Sequence, residues 1–215
     1  MELFRMKSFQ PFARARSAST RQRGYSLVEL SIALAIVSVV IVGSLIGVQR
    51  ILANNRANAL LADVPRINAA LLGALSNSKG LPTLSTTQAA ALGAFPESSV
   101  KWESGKAAVT NSFGGNIFTL GVNAKIGEVE AGRGYVVRMT QIPSNMCATI
   151  ANGLAPLARG IWVDDTVAEA VVDGAPDDKI VVKAIQANSG IDLAKLVDNC
   201  QAGAGTRTIN ALIVL

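Results

Sequence analysis

A chain of 215 residues, half of them apolar and 16% charged, with a mean hydropathy of +0.36, holds one domain with a sizeable core plus an unusually hydrophobic extra segment. The absence of histidine excludes Ser-His-Asp and Cys-His catalysis and removes the commonest metal ligand, and two cysteines cannot complete a tetrahedral zinc site. The net charge of +5 resides in residues 1–24, where Arg5, Lys7, Arg14, Arg16, Arg21 and Arg23 oppose only Glu2; from Tyr25 onward fourteen basic side chains meet fourteen acidic ones, so a basic nucleic-acid-binding head is not expected.

After this basic leader comes Leu30–Val48, nineteen residues without a charge. At ~1.5 Å per residue it makes about 29 Å of helix, close to the ~30 Å of a bilayer's hydrocarbon core. The basic residues precede it and only Arg50 and Arg56 follow closely, so the positive-inside rule places the N-terminus in the cytoplasm and the rest of the chain outside. A conventional secretory signal fits poorly: the apolar run is too long, and the small-x-small letters of Ala57-Asn58-Ala59 lie well beyond it.

The boundary before the run reads Arg21-Gln22-Arg23-Gly24-Tyr25-Ser26-Leu27-Val28-Glu29-Leu30. A basic leader ends in glycine, and a lone carboxylate stands five positions later at the start of an otherwise apolar helix. This resembles the prepilin processing motif of type IV pilins and type II secretion pseudopilins. The resemblance implies cleavage after Gly24 by a prepilin peptidase and N-methylation at Tyr25. It also implies a subunit-assembly role for Glu29, opposite the N-terminal amine of a neighbouring copy. The length of the leader and Tyr25 in place of phenylalanine or methionine lean toward the type IVb branch. Without the resemblance, Glu29 reads as a carboxylate in the headgroup region that serves the helix N-terminal dipole. Gly43 and Gly47 form a G-x-x-x-G that permits either close helix packing or a soft point in the helix.

Past Arg50 the helix is expected to continue, because Ala53, Ala57, Leu60, Leu61, Val64, Ile67, Leu71, Leu72 and Leu75 recur at three- and four-residue steps. Pro65 is expected to bend it, and Ser76–Gly80 to stop it. A short helix is expected over Thr86–Leu92, then a meander of antiparallel strands at Val100–Thr110, Asn116–Val122 and Gly134–Gln141, with turns at Gly114-Gly115, Gly127 and Gly132. Ser144–Ala155 reads as a helix with Ser144 as its cap, Ile191–Val197 as a second leading into Cys200, and Thr206–Leu215 as a final strand.

With the head outside the cytoplasm, Cys147 and Cys200 read as one disulfide in preference to two buried thiols. A cysteine pair flanking the C-terminal region also resembles type IVb pilins, including thin-pilus pilins of conjugative plasmids. Asp164-Asp165, Asp173 and Asp177-Asp178 lack a calcium-loop register and read as solvated turns, so no metal is expected. Trp102 and Trp162 read as packing residues.

The expected fold is α+β, one long N-terminal helix packed on an antiparallel sheet of four to six strands. The expected divisions are a leader at 1–24, a hydrophobic transmembrane and assembly helix at 25–50, and an amphipathic helix with a globular head at 51–215. The resemblance implies a non-enzymatic subunit without cofactor. It is held in the inner membrane before polymerising into a helical homo-oligomeric filament, an extracellular pilus or a periplasmic pseudopilus. Its partners are the prepilin peptidase and the pilus assembly machinery, without direct nucleic-acid binding. A minor pilin or pseudopilin is the alternative within that class, and a single-pass anchored binding domain is the alternative from another.

Overall fold

The computed structural model describes residues 26–75, 84–202 and 205–215. The chain divides into two compact units, the first ending at Ile46 and the second running from Gly47 to Leu215. Gly24, Tyr25 and the Ser76–Gly80 stop lie outside the described residues.

Helix α1 spans Leu27–Leu75. In the first unit its apolar side chains are exposed on every side, as a helix hydrophobic all round must be unless lipid or other chains surround it. In the second unit the pattern becomes one-sided. Ala57, Leu60, Val64, Ile67 and Leu71, spaced alternately by three and four residues, are all at most 1% exposed. The helix runs through Pro65, which faces solvent, where the hydrogen bond lost to its missing N–H can be replaced by water.

Helix α2, Thr86–Ala91, begins with a capping box: the Ser85 side chain accepts from the Gln88 N–H while Gln88 accepts from the Ser85 N–H. After a 3₁₀ turn at Glu97–Ser99 come strands β1, Val100–Glu103, and β2, Lys106–Val109. The single strand expected over Val100–Thr110 is thus a hairpin. Ser104 and Gly105 both take positive φ, 49° and 79°, the requirement of a two-residue turn that matches strand twist. The pair forms its own two-stranded sheet, so the expected meander is divided.

The main sheet contains β3, Ile117–Gly121; β4, Gly134–Pro143; β5, Gly160–Asp164; β6, Val181–Lys183; and β7, Thr206–Val214. Their order is β3-β4-β7-β5-β6, every neighbour antiparallel. The last strand therefore enters the middle, pairing along β4 from Gly134↔Val214 to Pro143↔Thr206 and with β5 from Gly160↔Leu212 to Asp164↔Thr208. Strands β5 and β6 were not anticipated from sequence. Between β2 and β3 the buried Asn111 organises the turn: its Oδ1 accepts from Phe113 and Gly115, and its Nδ2 donates to the Thr140 carbonyl at 2.8 Å. A Cβ on Gly115 would collide with that same carbonyl, which is why the glycine is needed there.

Both faces of the sheet are covered. Ile117, Tyr135, Val137, Met139, Ile161, Val163, Ile209 and Ala211 join the buried stripe of α1 in one core. Leu120, Val136, Trp162 and Leu212 face the other way, under Val122, Ile126, Val129 and Val172 from the long connections. This explains why β4 and β7 are buried at almost every position instead of alternating.

Helix α3, Ser144–Leu154, follows β4 directly, and α4, Leu193–Gln201, precedes β7. Ser144 is not the cap expected of it. Pro143 holds that position without a side-chain bond, and the Ser144 Oγ is buried with no partner among the described residues. Helix α4 starts two residues later than expected because Asp192 caps it, accepting from Ala194 and Lys195, and this carries Cys200 inside the helix. Ile191 is instead bridged to Lys183 beside the sheet.

Ile67→Ala should destabilise the head by about 2–5 kcal/mol, because the residue is fully buried between α1 and the sheet. Leu72→Ala, at a half-exposed position on the same helix, should change stability by no more than about 0.5 kcal/mol. Urea unfolding of the two variants in mild detergent, followed by tryptophan fluorescence, measures the difference.

Candidate assembly surfaces

Glu29 occupies the first turn of α1 and is exposed among Val28, Leu30 and Ile32, themselves more than half exposed. A carboxylate here meets the unpaired N–H groups of the helix start, a favourable electrostatic position. The rest of the segment has been made chemically silent. Ser31 Oγ donates to the Val28 carbonyl at 2.8 Å, Ser38 to Leu34 at 2.7 Å and Ser44 to Ile41 at 2.9 Å, so each hydroxyl is satisfied by its own helix. Nothing lies within 4 Å of where a Cβ would stand on Gly43 or Gly47. Helix α1 is long and apolar enough to cross a membrane, and its most hydrophobic window is 0% buried. Glu29 is thus the lone ionisable group in the described part of this apolar surface.

In the second unit the two cysteines are joined: Cys147 on α3 and Cys200 on α4 form a disulfide, with Cα atoms 5.6 Å apart and a sequence separation of 53. Both are buried in the helix-side core. The bond ties α4, and so the chain entering β7, to the helix that leaves β4.

Polar side chains hold down the connection after β5. Arg138 of β4 donates through Nε to Asn210 Oδ1 at 2.7 Å and through Nη1 to the Ala168 carbonyl at 2.8 Å, and Asn210 Nδ2 donates to Asp164 Oδ2 at 3.1 Å. Burial lowers the pKa of Arg138, and Asp164 opposes that shift. Further along, Glu169 accepts from the Thr86 hydroxyl at 2.6 Å, and the same hydroxyl accepts from the Thr119 N–H. On the helix side, Tyr135 donates to Asn68 of α1 at 3.2 Å, and burial pushes its hydroxyl pKa far upward. Sequence reading missed this network because its members alternate with apolar residues as solvated positions would.

The aspartates go to separate partners. Asp164 meets Asn210, Asp165 pairs with Arg207, Asp177 accepts from the Lys179 N–H, and Asp178 pairs with Lys195. Trp162 is buried as expected. Trp102 is instead 56% exposed, because it lies on the separate hairpin opposite Ala107, which is too small to cover it.

Residues 54–213 match the family model described as PilS N terminal, and residues 19–45 match the prokaryotic N-terminal methylation motif. The chain belongs to the PilS family, a type IV pilin of the IVb branch. The fold agrees. A type IVb pilin from Salmonella typhi superposes with a TM-score of 0.52 at 18% identity, over 72% of this chain and 97% of that one. TcpA, a type IV pilin from Vibrio cholerae El Tor biotype, gives 0.50 at 14% identity over 74% and 98%. No curated protein matches the sequence. The pilin is a structural subunit whose apolar helix fits membrane anchoring before assembly.

Replacing both cysteines of this pilin by serine should lower head stability by roughly 4 kcal/mol, the chain-entropy value for a loop of this size. Non-reducing peptide mapping should recover the Cys147 and Cys200 peptides linked. A loss in the variant below about 1 kcal/mol would make the bond dispensable for stability, against the range known for native disulfides.

Proposed function

We propose that this pilin is made as a precursor in the inner membrane, with residues 1–24 in the cytoplasm and the head outside. A prepilin peptidase cleaves after Gly24, and the new N-terminus at Tyr25 is methylated. The mature chain then polymerises through the first part of α1 into the helical filament of a type IVb-like pilus. The observation that carries this reading is an apolar helix surface, exposed on every side, with one carboxylate in its first turn. Such a surface cannot stay in water, and lipid or neighbouring helices are the two environments that accept it.

The chemistry of Glu29 links processing to assembly. An ionised carboxylate in a membrane helix costs up to about 3 kcal/mol at the bilayer centre and less near the interface. Cleavage after Gly24 creates a cation four residues away in sequence, the Tyr25 amine. In this reading the amine that meets the carboxylate belongs to a neighbour displaced along the filament axis. Pairing there neutralises both charges and sets the axial register between copies. The membrane orientation follows from the basic leader.

Gly24→Val should leave a full-length precursor in the membrane, read by intact mass and N-terminal sequencing; normal, shortened subunit in fibres from that variant would refute the processing site.

For Glu29→Val, processed subunit should accumulate in the membrane while filaments fall to a small fraction of wild type. If the carboxylate only tolerates the headgroup region, the same change removes a mild penalty and leaves assembly intact. Electron microscopy of sheared filaments separates the two, and abundant ordered filaments would rule out the pairing.

A further inference from the structure

Arg159 lies in the turn between α3 and β5, and Lys183 ends β6. Lys183 Nζ donates to the carbonyls of Ala155 and Ala158, each at 2.6 Å, and so closes the C-terminal end of α3. Together the two cations line a pocket of about 440 Å³ with Gln186, Asn188, Val214 and residues 155–158, and no acidic residue lines it. Among the described residues no carboxylate pairs with Arg159. Burial lowers the pKa of Lys183, and repulsion from Arg159 lowers it further, as expected where positive charge is left without a counter-ion. The ammonium keeps a third N–H beyond the two it has used, and the guanidinium offers its planar fork of donors. The pocket suits a carboxylate.

The same head carries an acidic counterpart. Between Asp164 and Asp178 there are six carboxylates and no lysine or arginine. Four of them are held within the head by Asn210, Arg207, Thr86 and Lys195. Asp173 and Asp177 are exposed and have no cationic partner among the described residues. Arg159 directly precedes the first residue of β5, while the acidic segment leaves from its last, so the two charges diverge from opposite ends of one strand. Two complementary surfaces at different places on one chain make a heterologous contact, which repeats from copy to copy and builds an open filament where its rotation does not close a ring.

We infer that the Arg159 pocket receives the Asp173 and Asp177 carboxylates of a second copy, forming a heterologous contact between neighbouring heads in the filament. This rests on the filament reading and adds to it a contact distant in sequence from Glu29.

A charge exchange in the full-length chain tests it. Arg159→Glu, or Asp173→Lys with Asp177→Lys, should each reduce the yield of sheared filaments about tenfold, the effect of ~1.4 kcal/mol per contact. Combining the three changes should restore most of the yield, because the pair is re-formed with its signs exchanged. Processed subunit in the membrane and protease resistance of the head should stay at wild-type levels throughout. Arg159→Gln, which removes charge without adding repulsion, should fall between wild type and Arg159→Glu. Wild-type yields from the single-sided variants, or no recovery in the combined chain with its head intact, overturn the contact and leave the filament reading standing. Binding of inorganic phosphate at Arg159 with filament yield unaffected by reversal would make the pocket a small-anion site and overturn it as well. Absence of filaments from the wild-type chain would overturn the filament reading and this contact with it.

Discussion

The head depends on the pairing of β7 with β4 and β5. Without the last strand, β3 and β4 remain one hairpin and β5 and β6 another, with no ladder joining them. Both cores need that junction, since Ile209 and Ala211 point toward α1 while Leu212 points away from it. The partners are distant in sequence: Tyr135 meets Ile213, and Ile161 meets Ala211. Such long loops cost entropy that only the finished contact repays, so the disulfide between α3 and α4 stands where it shortens the search, close to the point where the chain enters β7.

A sheet covered on both faces needs something to hold the irregular cover in place. Apolar contact does part of this through Val172 and Trp162, but the connection from β5 to β6 also carries five carboxylates. Its backbone is fixed by the buried guanidinium of Arg138, which donates to the carbonyls of Ala168 and Ala170. Asn210 steers that guanidinium and is steered in turn by Asp164. Removing one member of such a network leaves the others desolvated without partners, a heavier penalty than the loss of a single bond.

Long periodic features were legible in the sequence. The apolar run, the three-four stripe from Ala57 to Leu71 and the apolar final strand each repeat a pattern over enough residues to be unambiguous. Strand β5 was not read, although Gly160-Ile161-Trp162-Val163 is rich in strand formers: the run is short, and its partner on one side is β7, far along the chain. Strand β6 is shorter still. The hairpin turn at Ser104-Gly105 was hidden inside what looked like one strand, because serine rarely signals positive φ. The exposure of Trp102 follows from that hairpin and was unreadable for the same reason. Glu29 stood out in the sequence by its isolation, whereas the Arg159 pocket joins residues from separate connections that only the folded chain brings together.

The serines of the first part of α1 have a thermodynamic consequence. Each hydroxyl closes its bond on a carbonyl of the same helix, so what the surroundings meet is methyl and methylene surface. Moving such a helix from lipid into a sheath of other helices neither breaks nor makes a hydrogen bond at these positions, and one apolar solvent replaces another at little change in free energy. Passage between the two phases is then nearly degenerate along most of the helix. Its direction must then be set by groups that lie outside this apolar stretch.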